Sequence, residues 1–165
     1  MSNLNIYLDY NKYQTELVEK YGKKSIVFLM VGSFYEIYGS VSEDFDEILS
    51  VDHLQKTCKI LGILLSRRNK AYPVSYENPH SAGFPTVSLS KNVSKLLDNN
   101  YTVAIYDQYD NHRGSKDRKL VNVFSPSTCI DEDLNHNRNC ILACVYIDKF
   151  KCPIKQIYNE YGCIS

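Results

Sequence analysis

The sequence predicts an α/β domain built on a mixed β-sheet of about five strands flanked by about three helices. Three observations carry that expectation. Apolar runs rich in β-branched and aromatic residues, each of strand length, occur at 25–31, 60–65, 101–106 and 120–124, with a fifth extended stretch following Gly32. Stripes of helical period lie between or before them, around residues 11–21, 42–54 and 90–97. Polar segments rich in Gly, Pro and Asn punctuate the rest.

At 165 residues the chain is long enough for one domain with a good core and the beginning of a second. Hydrophobic content of 44% and charged content of 23% are those of a protein that folds. Lys+Arg and Asp+Glu both number 19, so the overall basic charge of an autonomous nucleic-acid binder is missing and any such contact must come from local patches. No run approaches the roughly 20 apolar residues that cross a bilayer, and no membrane partner is expected. The cysteines Cys58, Cys129, Cys140, Cys144, Cys152 and Cys163 form no Cys-x-x-Cys pair. With no signal peptide before them, their scatter favours reduced thiols in an intracellular setting over a disulfide framework. His136, Cys140 and Cys144 are spaced by four but lack a fourth ligand, so no metal site is expected there.

Taken in order, residues 4–8 read as either a short strand or a lead-in. From Asn11 the pattern is helical, with Tyr13, Leu17, Val18 and Tyr21 on one stripe and Gly22 as its stop. The strand 25–31 follows. Ser42 is a candidate N-cap, with Glu43, Asp44 and Asp46 suited to the positive end of a helix dipole and Phe45, Ile48, Leu49 and Leu54 forming its buried face. The next strand, 60–65, ends in Ser66-Arg67-Arg68, with Lys70 just beyond. Residues 69–81 read as a polar connection without regular structure. A helix capped by Ser90 runs through Val93, Leu96 and Leu97 and closes at Asn99-Asn100. A hairpin follows, from the strand 101–106 through a basic turn at 111–119, containing Arg113 and Lys116, to the strand 120–124. Residues 131–139 form a polar linker, and 140–147 with 161–165 open further strands. The domain organisation is therefore 1–130, a linker at 131–139, and the truncated start of a second domain at 140–165.

The stretch from Ser25 to Gly39 carries the most information. In extended backbone, residues two apart share a face, so Phe34 and Glu36 are offered side by side while Tyr35 turns away. Gly32 permits the turn before them. Phe34 on its own reads as a core aromatic. Gly-Ser-Phe-Tyr-Glu, then Ser66-Arg67-Arg68, Ala82-Gly83-Phe84-Pro85, the run from Val103 to Gln108, and Ser125-Pro126-Ser127-Thr128 come in an order that resembles the N-terminal mismatch-recognition domain of the MutS family of DNA mismatch repair proteins.

That resemblance implies a function of recognition, not catalysis. In the family the phenylalanine of Gly-Asp-Phe-Tyr-Glu inserts beside the mispaired base and the glutamate two residues on hydrogen-bonds to it. Phe34 and Glu36 occupy those positions, with Gly32, Gly83 and Pro85 as support. Arg67, Arg68, Lys70, Arg113 and Lys116 are candidates for the DNA backbone. The implied partners are double-stranded DNA with mismatches or unpaired bases and the other domains of a longer parent, and the piece itself is expected to be a monomer. One departure stands out: Thr86-Val87 replaces the family's Tyr-His pair. No Gly-x-x-x-x-Gly-Lys followed by Ser or Thr occurs, so no cofactor is expected in this chain, and ATP and magnesium belong to the parent's ATPase domain. Two rival readings exist. One makes Glu36 with Asp44 or Asp46 a metal-dependent nuclease cluster; the other keeps the fold as a docking or structural module without mismatch sensing.

Overall fold

The computed structural model describes residues 3–41, 47–49, 51–67, 69–75, 78–110 and 116–126. Along the chain run α1 (Asn3–Tyr21), β1 (Ser25–Val31), β2 (Phe34–Tyr38), β3 (Ser40–Val41), β4 (Glu47–Leu49), α2 (Val51–Leu61), β5 (Ser66–Arg67), β6 (His80–Pro85), a single 3-10 turn (Thr86–Ser88), α3 (Leu89–Asp98), β7 (Thr102–Asp110) and β8 (Lys116–Phe124). Six strands form one sheet in the order β5-β6-β2-β1-β7-β8, and β3 and β4 pair as a separate ribbon. The β1–β7 pair is parallel and its neighbours are antiparallel, so the sheet is mixed. The α/β class with three helices holds, with one more strand in the main sheet than the five read from sequence.

Central position explains the composition of β1. Ile26, Val27, Phe28 and Leu29 are all fully buried, the continuous apolar run expected of a strand covered on both faces. Helix α1 presses Tyr7 and Tyr10 edge-on against Tyr38 of β2 and stacks Tyr13 on Tyr106 of β7 at 4.0 Å. Helices α2 and α3 pack on each other, and α3 also packs on β7.

The buried stripe of α1 is Ile6, Tyr7, Tyr10, Gln14 and Leu17, which extends the helix eight residues before Asn11 and resolves 4–8 as helix. Gln14 hid this stripe. Its polar side chain sits fully buried because its amide donates to the Ser25 carbonyl (2.8 Å) and its Oε1 accepts from the Val27 amide (2.9 Å), docking α1 onto β1 through the strand's own backbone.

Four other expectations are corrected. The helix read from Ser42 begins at Val51, its buried face being Leu54, Thr57, Cys58 and Leu61, while Glu47–Leu49 is strand; Ser42, Asp44 and Asp46 lie outside the described residues. The strand read at 60–65 is the end of α2 followed by irregular chain: the amides of Gly62 and Ile63 both turn back to the Cys58 carbonyl, and pairing starts only at Ser66. Gly62, at φ 75°, is the helix stop inside this apolar run. The connection 69–81 is more organised than expected, because buried Asn78 donates to the carbonyls of Asn69, Tyr72 and Pro73 and accepts from the Asn69 amide. Helix α3 starts after Ser88, two residues before the expected cap, and closes as foreseen. Asn100 adopts φ 60°, and the amides of Asn100 and Tyr101 satisfy the carbonyls of Leu97 and Leu96. The linker 131–139, the segment 140–165 and every cysteine except Cys58 lie outside the described residues. Cys58 is a buried free thiol whose pKa burial pushes up to about 11, which makes it inert. No described helix is long and apolar enough to cross a membrane.

Two outcomes are expected. Replacing Gln14 with Leu orphans a buried carbonyl and a buried amide; at about 1–3 kcal/mol each, the loss is roughly 2–6 kcal/mol in urea unfolding. His53, packed edge-on to Tyr101 at 5.4 Å, is held below its ordinary pKa by burial and then by Lys56. The unfolded chain therefore takes the proton first, so His53's contribution is intact above the ordinary value of 6.5 and declines as pH falls below it. Urea midpoints at pH 7 and pH 5 should differ less for His53→Gln than for wild type.

Candidate nucleic-acid interface

A two-residue loop, Gly32-Ser33, joins β1 to β2 with Val31 opposite Phe34. Gly32 has φ +62° while Ser33 does not have positive φ, the pattern of a type II′ hairpin turn, which selects glycine at its first position. From that turn the side chains alternate. Tyr35 and Ile37 are buried, Tyr35 lying 6.5 Å from Phe28 and 6.0 Å from Phe84 between ring centroids. Phe34, Glu36 and Tyr38 take the other face. Phe34 is 45% exposed, Glu36 half-buried and Tyr38 fully buried beneath Tyr7 and Tyr10. The face is therefore open at the turn and closed at its far end. The expectation that Phe34 and Glu36 point the same way is met.

Neighbouring elements hold the turn in place. The Gly32 amide donates to Gln108 Oε1 (3.3 Å), the Thr86 amide to the Ser33 carbonyl (3.0 Å), and Arg118 Nε to the Met30 carbonyl (3.2 Å). Tyr35 donates its hydroxyl to Asp107 Oδ1 at 2.6 Å; burial, and then the Asp107 carboxylate, push the phenol's pKa up, which favours the protonated donor. The carboxylate of Glu36 accepts a hydrogen bond from the Tyr38 hydroxyl.

Beside Phe34 lies a cavity of about 390 Å³ whose wall includes Phe34, Glu36, Tyr38, Ser66, Arg67 and Gly83. Gly83 pairs with Glu36 and forms part of that wall. A Cβ at Gly83 would stand 3.1 Å from the Tyr35 carbonyl oxygen and 3.2 Å from Glu36 Cγ, so glycine here leaves room for the glutamate. Pro85 pairs with Phe34 and ends β6. A second cavity of about 310 Å³, sharing Ser66 and Arg67 with the first, is lined by Lys70 and His80.

The structure thus gathers Phe34, Glu36, Gly83 and Arg67 around one cavity, with Gly32 and Pro85 at the turn and Lys70 on the adjoining cavity. Lys116 belongs to neither. It is the first residue of β8, at the opposite sheet edge, in a groove with Tyr13, Tyr109 and Arg118. Arg68 and Arg113 lie outside the described residues. Arg118, within the segment 111–119 read from sequence as a basic turn, is in β8 with its side chain 4% exposed, held by Met30 and 4.0 Å from Asp9. Among the described residues no group of three or more His, Cys, Asp or Glu is placed to hold a metal, and Asp44 and Asp46 are outside them.

Sequence reasoning missed Tyr38, whose place two residues beyond Glu36 was readable from strand alternation. It also missed Leu64, 89% exposed at the cavity rim, and the ties from Asp107 and Gln108. Those ties cross more than seventy residues of sequence, and no local pattern announces them.

An α/β module that mounts an exposed aromatic and a carboxylate on one anchored hairpin is the class that fold and site define. The chain belongs to the MutS family: the family model for MutS domain I matches residues 11–133. It is 30% identical over 149 residues to a DNA mismatch repair protein mutS homolog of Acanthamoeba polyphaga mimivirus, covering 88% of this chain and 12% of that protein. It is 31% identical over 137 residues to the DNA mismatch repair protein MutS of Petrotoga mobilis, covering 81% and 14%, and 28% identical over 156 residues to that of Fusobacterium nucleatum, covering 88% and 16%. The chain spans about an eighth to a sixth of the length of these relatives.

Gly83→Ala tests the packing of the site. Glycine to alanine within a strand ordinarily stabilises by roughly 0.5–1 kcal/mol. Here the contact with the Tyr35 carbonyl reverses the sign, and a lower urea midpoint at unchanged m-value is the expected result.

Proposed function

We propose that this chain is the mismatched-DNA-binding module of a MutS-type mismatch repair protein, sensing mispairs or small loops by inserting Phe34 into a kinked duplex while Glu36 hydrogen-bonds to the displaced base. The observation that carries this reading is the pairing of a 45%-exposed phenylalanine with a half-buried glutamate on one face of an anchored hairpin. An aromatic ring wedged into a base step compensates for lost stacking by about 1–3 kcal/mol. A paired step resists the bend and a defective one yields, so the energy of deformation supplies discrimination without reading sequence. Arg67 and Lys70 at one sheet edge and Lys116 at the other flank the hairpin, and their role is to hold phosphates and set register.

The partners on this reading are duplex DNA with mismatched or unpaired bases and the remaining domains of a longer protein. ATP and magnesium act in those domains, since the 165 residues contain no phosphate-binding loop sequence. The chain itself performs no catalysis and needs no cofactor.

Fluorescence polarisation at low salt, comparing a duplex with one mismatch or unpaired base against its perfectly paired twin, tests this. Wild type should prefer the defective duplex and Phe34→Ala should bind both alike, a loss of about five-fold or more. Arg67→Ala should weaken both equally and reduce the salt dependence by about one phosphate contact. Preference that survives in Phe34→Ala would overturn the wedge role of Phe34, and equal binding of both duplexes by wild type would leave the docking role as the better account.

A further inference from the structure

A parallel ladder joins β1 to β7 from Ser25 opposite Thr102 to Leu29 opposite Tyr106, and there it ends. Both strands run on. Met30 and Val31 continue in pairs with β2, and Asp107 to Asp110 in pairs with β8, but among the described residues no further backbone pair joins β1 to β7. Side chains take over where the ladder stops. Gln108 Oε1 accepts from the Gly32 amide (3.3 Å), Arg118 Nε donates to the Met30 carbonyl (3.2 Å), and Asp107 Oδ1 accepts from the Tyr35 hydroxyl (2.6 Å).

These three bonds grip the tip from both faces of the sheet. Tyr106 stacks on Tyr13 of α1, so Gln108, two residues on, faces the helix side, as does Arg118, its partner across the β7–β8 pair. Tyr38 packs on Tyr7 and Tyr10 of α1, which puts Phe34 on that side too. Asp107 and Tyr35 lie on the other. Arg118 is 4% exposed, and a cation so far from water is kept there by what it bonds. Its partners are the Met30 carbonyl, at the end of β1, and Asp9 of α1 at 4.0 Å, so one guanidinium joins helix, sheet edge and hairpin.

We propose that Gln108 and Arg118 are positioning residues for Phe34. Standing in for the missing rungs between β1 and β7, they fix the angle at which the hairpin presents its ring, and through it they set how well a defective duplex is told from a sound one. The inference rests on the function proposed above and adds to it two side chains that act through backbone atoms of Met30 and Gly32. A tip free to pivot is ordered only when the ring enters a base step. That cost falls on the complex with the defective duplex and spares the complex with its paired twin, so loosening the tip lowers discrimination and leaves general affinity alone.

Three variants of the 165-residue chain test this. Gln108→Met removes the acceptor and keeps the bulk, Gln108→Glu keeps an acceptor, and Arg118→Met removes the donor. In Gln108→Met the Gly32 amide should exchange with solvent roughly two- to ten-fold faster by NMR, the scale of one lost hydrogen bond, while the amides of Ile26 to Leu29 keep wild-type rates. Its preference for the defective duplex should fall roughly two- to ten-fold, the scale of one loop or side chain ordered on binding, with affinity for the paired twin unchanged. Gln108 is half-buried, so the urea midpoint should stay close to that of wild type. Gln108→Glu should restore both the exchange rate and the preference. Arg118→Met should lose preference in the same way, and the Gln108 pair decides the matter if that variant fails to fold. Undiminished preference in Gln108→Met, a Gly32 amide that exchanges at the wild-type rate, or weaker binding of both duplexes in step with a lower urea midpoint would overturn the positioning role and leave the wedge reading standing. Equal binding of both duplexes by wild type would instead remove the reading on which the inference rests.

Discussion

Five residues of alternating strand, Phe34–Tyr38, do two incompatible jobs at once, and the rest of the domain is arranged to permit it. One face of the strand must be buried for the sheet to have a core, and Tyr35 and Ile37 meet that need against Phe28 and Phe84. The other face must stay accessible where Phe34 and Glu36 stand. Because the side-chain period is two, neither face can be adjusted without moving the other, and a register slip of one residue would bury Phe34 and expose Tyr35. Pairing on both sides of β2, with Leu29 opposite Glu36 in β1 and Gly83 opposite it in β6, prevents that slip.

Pairing alone does not fix the tip of a hairpin, which is ordinarily its most mobile part. Here the tip is tied from two directions. Gln108 and Arg118, from β7 and β8, bind backbone atoms of Gly32 and Met30, and Thr86, after β6, binds Ser33. Arg118 is instructive because its guanidinium is nearly inaccessible in a region whose sequence is crowded with surface charge. On the function proposed here, a ring that enters a base step gains from arriving already oriented, since each side chain or loop immobilised on binding costs about 0.5–1.5 kcal/mol. The ties place that ordering cost in folding.

How much of this was legible in the sequence follows from the range of the interactions involved. The strand 25–31, the turn at Gly32, the shared face of Phe34 and Glu36 and the αL closure at Asn100 all depend on periods or φ preferences within a few residues, and each stands where local chemistry puts it. The start of helix α1 is hard to read because a buried glutamine interrupts its apolar stripe, and Gln14 is tolerated there chiefly through backbone atoms of β1 eleven and thirteen residues away. The run 60–65 is short enough to fit a helix end as well as a strand, and the local signal that separates the two is Gly62, whose φ of 75° closes α2. Tyr38 needed one more step of a rule already in use. The ties from Asp107, Gln108 and Arg118, and the cavity over Gly83, needed the sheet order, which brings β7 and β6 to opposite sides of the β1–β2 hairpin.

The balance of charge takes on meaning beside this geometry. Lys+Arg equal Asp+Glu, so the chain as a whole sets up no net basic field to draw in a polyanion. On the function proposed here that weakness helps. A strongly basic sensor would bind sound and defective DNA tightly through phosphates, and the deformation energy that separates them would be a minor part of the total. With attraction restricted to a few cations flanking one hairpin, stacking on Phe34 and the hydrogen bond to Glu36 become a large fraction of what the module contributes. Grip on the duplex then falls to the far longer proteins in which such domains occur, of which this chain matches an eighth to a sixth, and the module is left to decide where along the DNA that grip is kept.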